Sequence, residues 1–233
     1  MRNFKRRFCV LKDMHTTTIT ITNTTNTAPL LLQRRAAAAA LVFAPALWLC
    51  AVAQNRPAMR ATPEQTEGPF YPVVLPKDAD FDLLKNGEQN YPKGQAAWLE
   101  GMVSDLNGKP VAGAQVEIWQ CDHDGHYHHP GDSGKADQRF QGFGRAVAGS
   151  DGRYRFRTMR PVAYSGRTPH IHVKVKLGQR EVLTTQLYVA GEPGNARDFL
   201  WRNMSDADRA ALAVPFTSGN DGIRANFPIV LFV

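Results

Sequence analysis

Two histidines one residue apart, His170 and His172, stand where a metal-binding strand would carry them. In a β-strand residues i and i+2 share a face, so both imidazoles point the same way. Ile171, Val173, Val175 and Leu177 then fill the opposite face, as a core requires, while Lys174 and Lys176 continue the histidine face and are expected to be solvated. Imidazole alone does not select an ion: two histidines on one strand suit zinc, copper or iron. Two tyrosines narrow the choice. Tyr164 lies six residues before His170, across a turn able to fold back on the start of the strand, and Tyr127 sits in the histidine-rich segment Asp124-Gly125-His126-Tyr127-His128. A free phenol has a pKa of about 10, so it ligates only where a strongly charged ion displaces its proton. Fe3+ is such an ion and is hard enough to prefer phenolate oxygen. The plain alternative is a pair of surface histidines on a half-exposed strand and two tyrosines serving as core or rim aromatics.

The elements around these residues are short and β-rich. Strands are expected at 99–103, 114–120, 153–158, 170–177, 182–189 and 227–233, separated by turn signals at Asn107-Gly108, Ser150-Asp151-Gly152 and Gly178. One short helix is expected at 206–212, capped by Ser205. Residues 54–96 are punctuated by Pro63, Pro69, Pro72 and Pro92 and read as an extended N-terminal arm of loops rather than a packed sheet. The expected organisation is a leader at 1–53, the arm at 54–96 and a single β-sandwich domain at 97–233. A strand, an Asp-initiated turn and a Pro-Val-Ala-Gly-Ala run between Gly101 and Val116 are of the prealbumin-like kind, which serves binding modules as well as enzymes.

Several segments, taken in order, resemble the intradiol ring-cleavage dioxygenases, the family of protocatechuate 3,4-dioxygenase and catechol 1,2-dioxygenase. They are Glu67-Gly68-Pro69-Phe70-Tyr71, Val116-Glu117-Ile118-Trp119-Gln120, Gly125-His126-Tyr127, Phe140-Gln141-Gly142-Phe143-Gly144-Arg145, Asp151-Gly152-Arg153-Tyr154-Arg155-Phe156, Arg160-Pro161-Val162-Ala163-Tyr164, Arg167-Thr168-Pro169-His170-Ile171-His172 and Thr185-Gln186-Leu187-Tyr188. The resemblance runs from about Thr62 to Tyr188 and on toward the C-terminus. It implies an all-β, prealbumin-like sandwich with long loops, and a non-haem Fe3+ held by Tyr127 and His170 as equatorial ligands and Tyr164 and His172 as axial ones. It also implies that Tyr164 leaves the ion as a phenol, that Arg167 stands beside a bound catecholate, and that Gln186 hydrogen-bonds near the same ring. The implied reaction joins O2 to a catechol-type ring between its hydroxyl-bearing carbons and gives a cis,cis-muconate-type diacid. His123, His126, His128 and His129 match no ligand and are expected to be loop residues. One departure concerns the substrate: many protocatechuate enzymes carry an aromatic residue two positions after the second ligand tyrosine, where this chain has Gly166. The short arm, without a long helical N-terminal region, is closer to the protocatechuate type.

Charge and leader bound the remaining classes. The 233-residue chain has a formal net charge of +7, but residues 1–53 hold seven Lys/Arg against one acid, leaving 21 basic and 20 acidic side chains in the other 180 residues. That nearly neutral body lacks the basic footprint of a nucleic-acid binder. Arg34-Arg35 precede an apolar run, 36–53, that ends in a small-x-small site before Gln54, so export through a twin-arginine-like signal is expected. The alternatives are a membrane anchor formed by 36–53 and an organelle transit peptide, and translation starting at Met14 is a further reading. Cys9, Cys50 and Cys121 leave one thiol after residue 54, so no disulfide is expected there. No nicotinamide, flavin or haem motif is present, and none is needed. The competing function is a non-catalytic prealbumin-like sandwich that binds a ligand or divalent metal through the histidine-rich loop. It differs in having no use for Tyr127 and Tyr164 beside the histidine pair.

Overall fold

The computed structural model describes residues 59–233. The expected leader, 1–53, with its export or anchoring role, lies outside them, as do the first residues of the arm. The described strands are β1 (Lys85–Asn86), β2 (Gln89–Asn90), β3 (Ala96–Asp105), β4 (Gln115–Trp119), β5 (Phe143–Val147), β6 (Arg153–Met159), β7 (His170–Leu177) and β8 (Arg180–Val189). Two short helices follow, α1 (Phe199–Asn203) and α2 (Asp206–Leu212), and then β9 (Ala213–Val214), β10 (Phe216–Gly219), β11 (Gly222–Asn226) and β12 (Ile229–Leu231).

Two five-stranded sheets form the sandwich. In one, β3 pairs antiparallel with β6 on one side and parallel with β11 and then β12 on the other, and β10 extends it beyond β11. The other runs β5-β4-β7-β8-β9. Each sheet turns one face inward because its strands alternate. Leu99, Val103 and Phe156 meet Val116, Ile118, Ile171, Val173 and Val175, all buried. Full burial of side chains of this size contributes about 1.5–3 kcal/mol each.

The strand expected at 227–233 is shorter than the sequence suggests. Pro228 lacks an amide hydrogen and separates β11 from β12, so the chain meets β3 twice instead of in one run. The β10–β11 hairpin and β5 are strands without a sequence counterpart. The helix capped by Ser205 is present, its hydroxyl accepting from the Asp208 amide at 3.1 Å, and α1 precedes it.

The arm does more than cross the surface. Leu83 is fully buried in the core, and its neighbours bridge the two sheets: Leu83 N donates to Arg157 O at 2.7 Å, and Arg145 N donates to Ala79 O at 2.9 Å. Further upstream, Gln65 N donates to Thr184 O at 2.9 Å, and Pro63 O accepts from the Thr185 hydroxyl at 2.6 Å. These bonds lay the arm across the outer face of the β4–β7–β8 sheet. Lys174, expected in solvent, is therefore buried between Glu67 and Glu181. Lys176 is half-buried and paired with Glu117 at 3.1 Å. Alternation on β7 gives the direction of both lysines correctly, but their cover comes from outside the strand, and for Lys174 from more than a hundred positions upstream.

Candidate metal centre

Strand register sets the first part of the site. Trp119 on β4, His172 on β7 and Gln186 on β8 stand opposite one another, and His170 stands opposite Tyr188. The Trp119 indole stacks on His172 with centroids 4.8 Å apart and planes 10° apart. His170 Nδ1 lies 2.6 Å from the Thr168 carbonyl oxygen, to which it donates. That bond fixes the tautomer and leaves the lone pair on Nε2. His170 Nε2 and His172 Nε2 face each other at 3.2 Å. Burial and the Arg167 charge lower His170 to about 4 against the Thr168 bond, and burial, His170 and Arg167 hold His172 well below its ordinary value. Both imidazoles are neutral near pH 7, with lone pairs available.

Two loops bring the tyrosines. The long loop between β4 and β5 is organised on the buried Asp122. Its Oδ1 accepts the amides of Asp124 and His126, both at 2.9 Å, and its Oδ2 accepts the Asp137 amide at 2.8 Å. Asp132 Oδ2 then takes the Tyr127 amide at 2.5 Å. Within this loop Gly125 has φ +85°, and a Cβ there would stand 3.3 Å from Tyr164 Cβ, so glycine lets the two tyrosine loops meet. The second loop is a tight turn. Arg167 N donates to Tyr164 O at 2.7 Å across Ser165 (φ 42°) and Gly166 (φ +79°). Positive φ at both central residues is the mark of a type I′ turn. Open space surrounds the position a Gly166 side chain would take.

The four residues singled out as ligands thus come together. Ring centroids are 5.0 Å apart for Tyr127 and Tyr164, 5.4 Å for Tyr164 and His170, 6.0 Å for Tyr127 and His172, and 4.8 Å for the histidines. The Tyr127 hydroxyl is buried without a hydrogen-bond partner among the described residues. An unpaired buried hydroxyl costs about 1–3 kcal/mol, and here it lies beside two inward-facing imidazole Nε2 atoms. A cation accepting from all of them would offset that cost. Two phenols and two neutral imidazoles make an N2O2 donor set whose hard phenolate oxygens suit a trivalent iron. Burial pushes Tyr127 well above its ordinary pKa and raises Tyr164 as well. Both are phenols until an ion displaces their protons.

Arg167 is mostly buried beside this cluster. Its Nε donates to Asp198 Oδ2 at 2.7 Å and its Nη2 to Gln186 Oε1 at 2.8 Å, while Gln186 Nε2 donates to Thr66 O at 2.8 Å. Gln186 is fully buried, so it does not face solvent. The loop histidines stand apart: His128 Nε2 bonds Phe140 O at 2.7 Å and His129 Nδ1 accepts the Gly131 amide at 3.0 Å. Three contributors carry no role in the sequence reading. Phe70 from the arm stacks on Tyr127 with centroids 4.7 Å apart, Trp119 backs His172, and Asp198 holds Arg167. An N-cap signal, Asp before Phe199-Leu200-Trp201, is the one local cue that points to Asp198.

The chain is similar to known proteins over most of the described residues. A protein-family model described as "Dioxygenase" matches residues 66–231. The protocatechuate 3,4-dioxygenase beta chain of Burkholderia cepacia is 35% identical over 188 residues, covering 72% of this chain and 79% of that one. Catechol 1,2-dioxygenase of Acinetobacter baylyi is 31% identical over 186 residues, covering 71% of this chain and 57% of that one, so the match spans little more than half of the latter enzyme. Among solved structures, the dioxygenase domain of a dioxygenase–carbohydrate-binding protein fusion from Streptomyces sp. SirexAA-E superposes with a TM-score of 0.60 at 34% identity, covering 75% of this chain and 99% of that domain. The chain belongs to the intradiol ring-cleavage dioxygenase family.

Proposed function

We propose that this chain is a non-haem Fe3+ dioxygenase that adds both atoms of O2 to a catechol-type ring. It breaks the bond between the two hydroxyl-bearing carbons and yields a cis,cis-muconate-type diacid. The carrying observation is the convergence of His170, His172, Tyr127 and Tyr164, with two imidazole Nε2 atoms 3.2 Å apart beside an unpaired phenol. The reaction balances without an external reductant, since the ring supplies the electrons that O2 accepts.

Tyr127, Tyr164, His170 and His172 would hold the ion. Bound Fe3+ supplies Lewis acidity, which makes phenolic protons leave and draws electron density from a chelated catecholate. The remaining work belongs to the side chains. The neutral histidines donate lone pairs without first losing a proton. Tyr164, less deeply buried than Tyr127, is the side chain whose phenolate, once an ion had displaced its proton, would take a substrate proton and become a phenol again. Arg167 carries a guanidinium cation. Held by Asp198 and Gln186, it stabilises negative charge as it develops on the ring, in a site from which water is largely excluded. Phe70 and Trp119 exclude water from the sides of Tyr127 and His172. The open space at Gly166 leaves room for ring substituents there.

Oxygen uptake by the purified protein against a panel of catechols tests this reading. Uptake with muconate-type products and a red, iron-tyrosinate colour supports it, whereas a colourless zinc-loaded protein inert to every catechol refutes it. We also propose export, with the mature chain beginning near Gln54 after the leader. N-terminal sequencing of native protein checks this, and an intact leader on a soluble cytoplasmic product would refute it.

A further inference from the structure

Arg167 is long and flexible, yet its guanidinium is anchored at both ends. One anchor is Gln186. The other is Asp198, thirty-one residues away in sequence and fully buried. The two carboxylate oxygens of Asp198 divide their work. Oδ2 accepts from Arg167 Nε at 2.7 Å and from the Thr168 amide at 3.0 Å. Oδ1 accepts from the amides of Leu200 at 3.0 Å and Trp201 at 3.1 Å, capping α1.

A helix cap alone needs one oxygen, and asparagine caps as well as aspartate. The second oxygen, facing the guanidinium, exceeds what α1 requires. It also fixes the residue whose carbonyl orients His170, because Thr168 O accepts from His170 Nδ1. A charge-assisted bond from a fixed carboxylate is short and directional, and a cation meant to stabilise charge in a transition state must be held before the charge appears.

We propose that Asp198 is a positioning residue for Arg167: its Oδ2 fixes the guanidinium beside the candidate ligands, while its Oδ1 serves the fold. This rests on the reading of Arg167 as the group that stabilises charge on the ring. The carboxylate is ionised for the task, because bonds from Thr168, Arg167 and Trp201 hold it below its ordinary range although burial alone would raise it.

The test is a double-mutant cycle between Asp198→Asn and Arg167→Ala on the iron-loaded full-length protein. Melting temperature, iron content, spectral titration with catechol under nitrogen, and kcat are measured for each. Asn retains the helix cap and turns an NH2 group toward two donors. Asp198→Asn is expected to keep its iron and to bind catechol with little change, and to melt below wild type because it breaks a buried ion pair. Its kcat should fall on the order of tenfold to a hundredfold, as expected for a reactive group displaced by about 1 Å. In the Arg167→Ala background the same change should cost less than about threefold, because the partner it positions is gone. Asp198→Ser, which also caps, serves if the Asn variant does not fold. An unchanged kcat in Asp198→Asn, or an equal loss in both backgrounds, overturns the proposal. So does failure of both variants to fold in either background, which would make Asp198 an anchor of α1 alone. Normal turnover in Arg167→Ala sinks the reading of Arg167 itself, whereas a slow Arg167→Ala beside a normal Asp198→Asn sinks only the role of Asp198.

Discussion

His170 and His172 direct their Nε2 atoms at each other across 3.2 Å although both imidazoles are neutral near pH 7. The Thr168 bond leaves His170 Nε2 as an acceptor, so without an ion a proton on His172 Nε2 can bridge the pair. Hydrogen bonding to Thr168 and stacking on Trp119 prevent the rings from turning away. The fold therefore holds two imidazole nitrogens at a separation that one ion could bridge.

The unpaired phenol beside them leads to a first expectation. Tyr127→Phe removes a buried hydroxyl that has no partner among the described residues. Deleting it should raise the stability of the metal-free protein by about 1 kcal/mol and abolish turnover. Thermal melts in the presence of a chelator, beside steady-state rates of the iron-loaded variant, check both halves. A less stable metal-free variant would show that the hydroxyl has a partner.

Gly125 offers a second. Its φ is +85°, and a Cβ at this position would approach Tyr164 Cβ to 3.3 Å, so Gly125→Ala must strain the backbone and push the tyrosine loops apart. The cost should be about 1–3 kcal/mol, with weakened iron retention. Chemical denaturation and metal analysis measure these. Gly166→Asn, at a positive φ with open space, should cost much less, because asparagine tolerates that conformation.

A third concerns acid. Glu117 is fully buried. Burial alone would raise its pKa, but hydrogen bonds from Tyr71, Arg145 and Lys176 outweigh it and hold the carboxyl below the ordinary value of 4.5. A depressed folded pKa contributes stability that is present above 4.5 and is lost as pH falls through the lower folded value. Glu117→Gln should therefore be less stable than wild type near neutrality and show a weaker further loss on acidification. Urea midpoints from neutrality down to acid pH decide it, and parallel curves for the two proteins would contradict it.

Arg167→Ala is the fourth. Iron, red colour and the catechol-induced spectral change should all remain, while kcat falls on the order of a hundredfold or more. Arg167→Lys should recover only part, since a point charge cannot make both the Asp198 and Gln186 bonds in the same geometry. Weakened binding with near-normal kcat would make Arg167 a substrate anchor only.

The features legible in the sequence follow local rules. His170 and His172 declare a shared face through the two-residue period of a strand, and the Tyr164–Arg167 spacing is set by a two-residue turn closed within the sequence itself. Lys174 defeats the same rule because its cover, Glu67, arrives from the arm, and strand alternation carries no information about what lies across a face. Asp198 is hidden for the same reason: its partner Arg167 is distant in sequence, and only the packed fold shows that one carboxylate serves both a helix and the site. β10 is largely exposed and β11 buries only Ala225, so hydrophobic alternation does not announce them.

The central claim, cleavage between the hydroxyl-bearing carbons with both oxygen atoms retained, is tested most directly by turning over catechol under isotopically labelled O2 and analysing the product by mass spectrometry. The account predicts a cis,cis-muconate-type diacid carrying two labelled atoms, one in each new carboxyl group. A semialdehyde from cleavage beside the diol, or a quinone with no label incorporated, would contradict it.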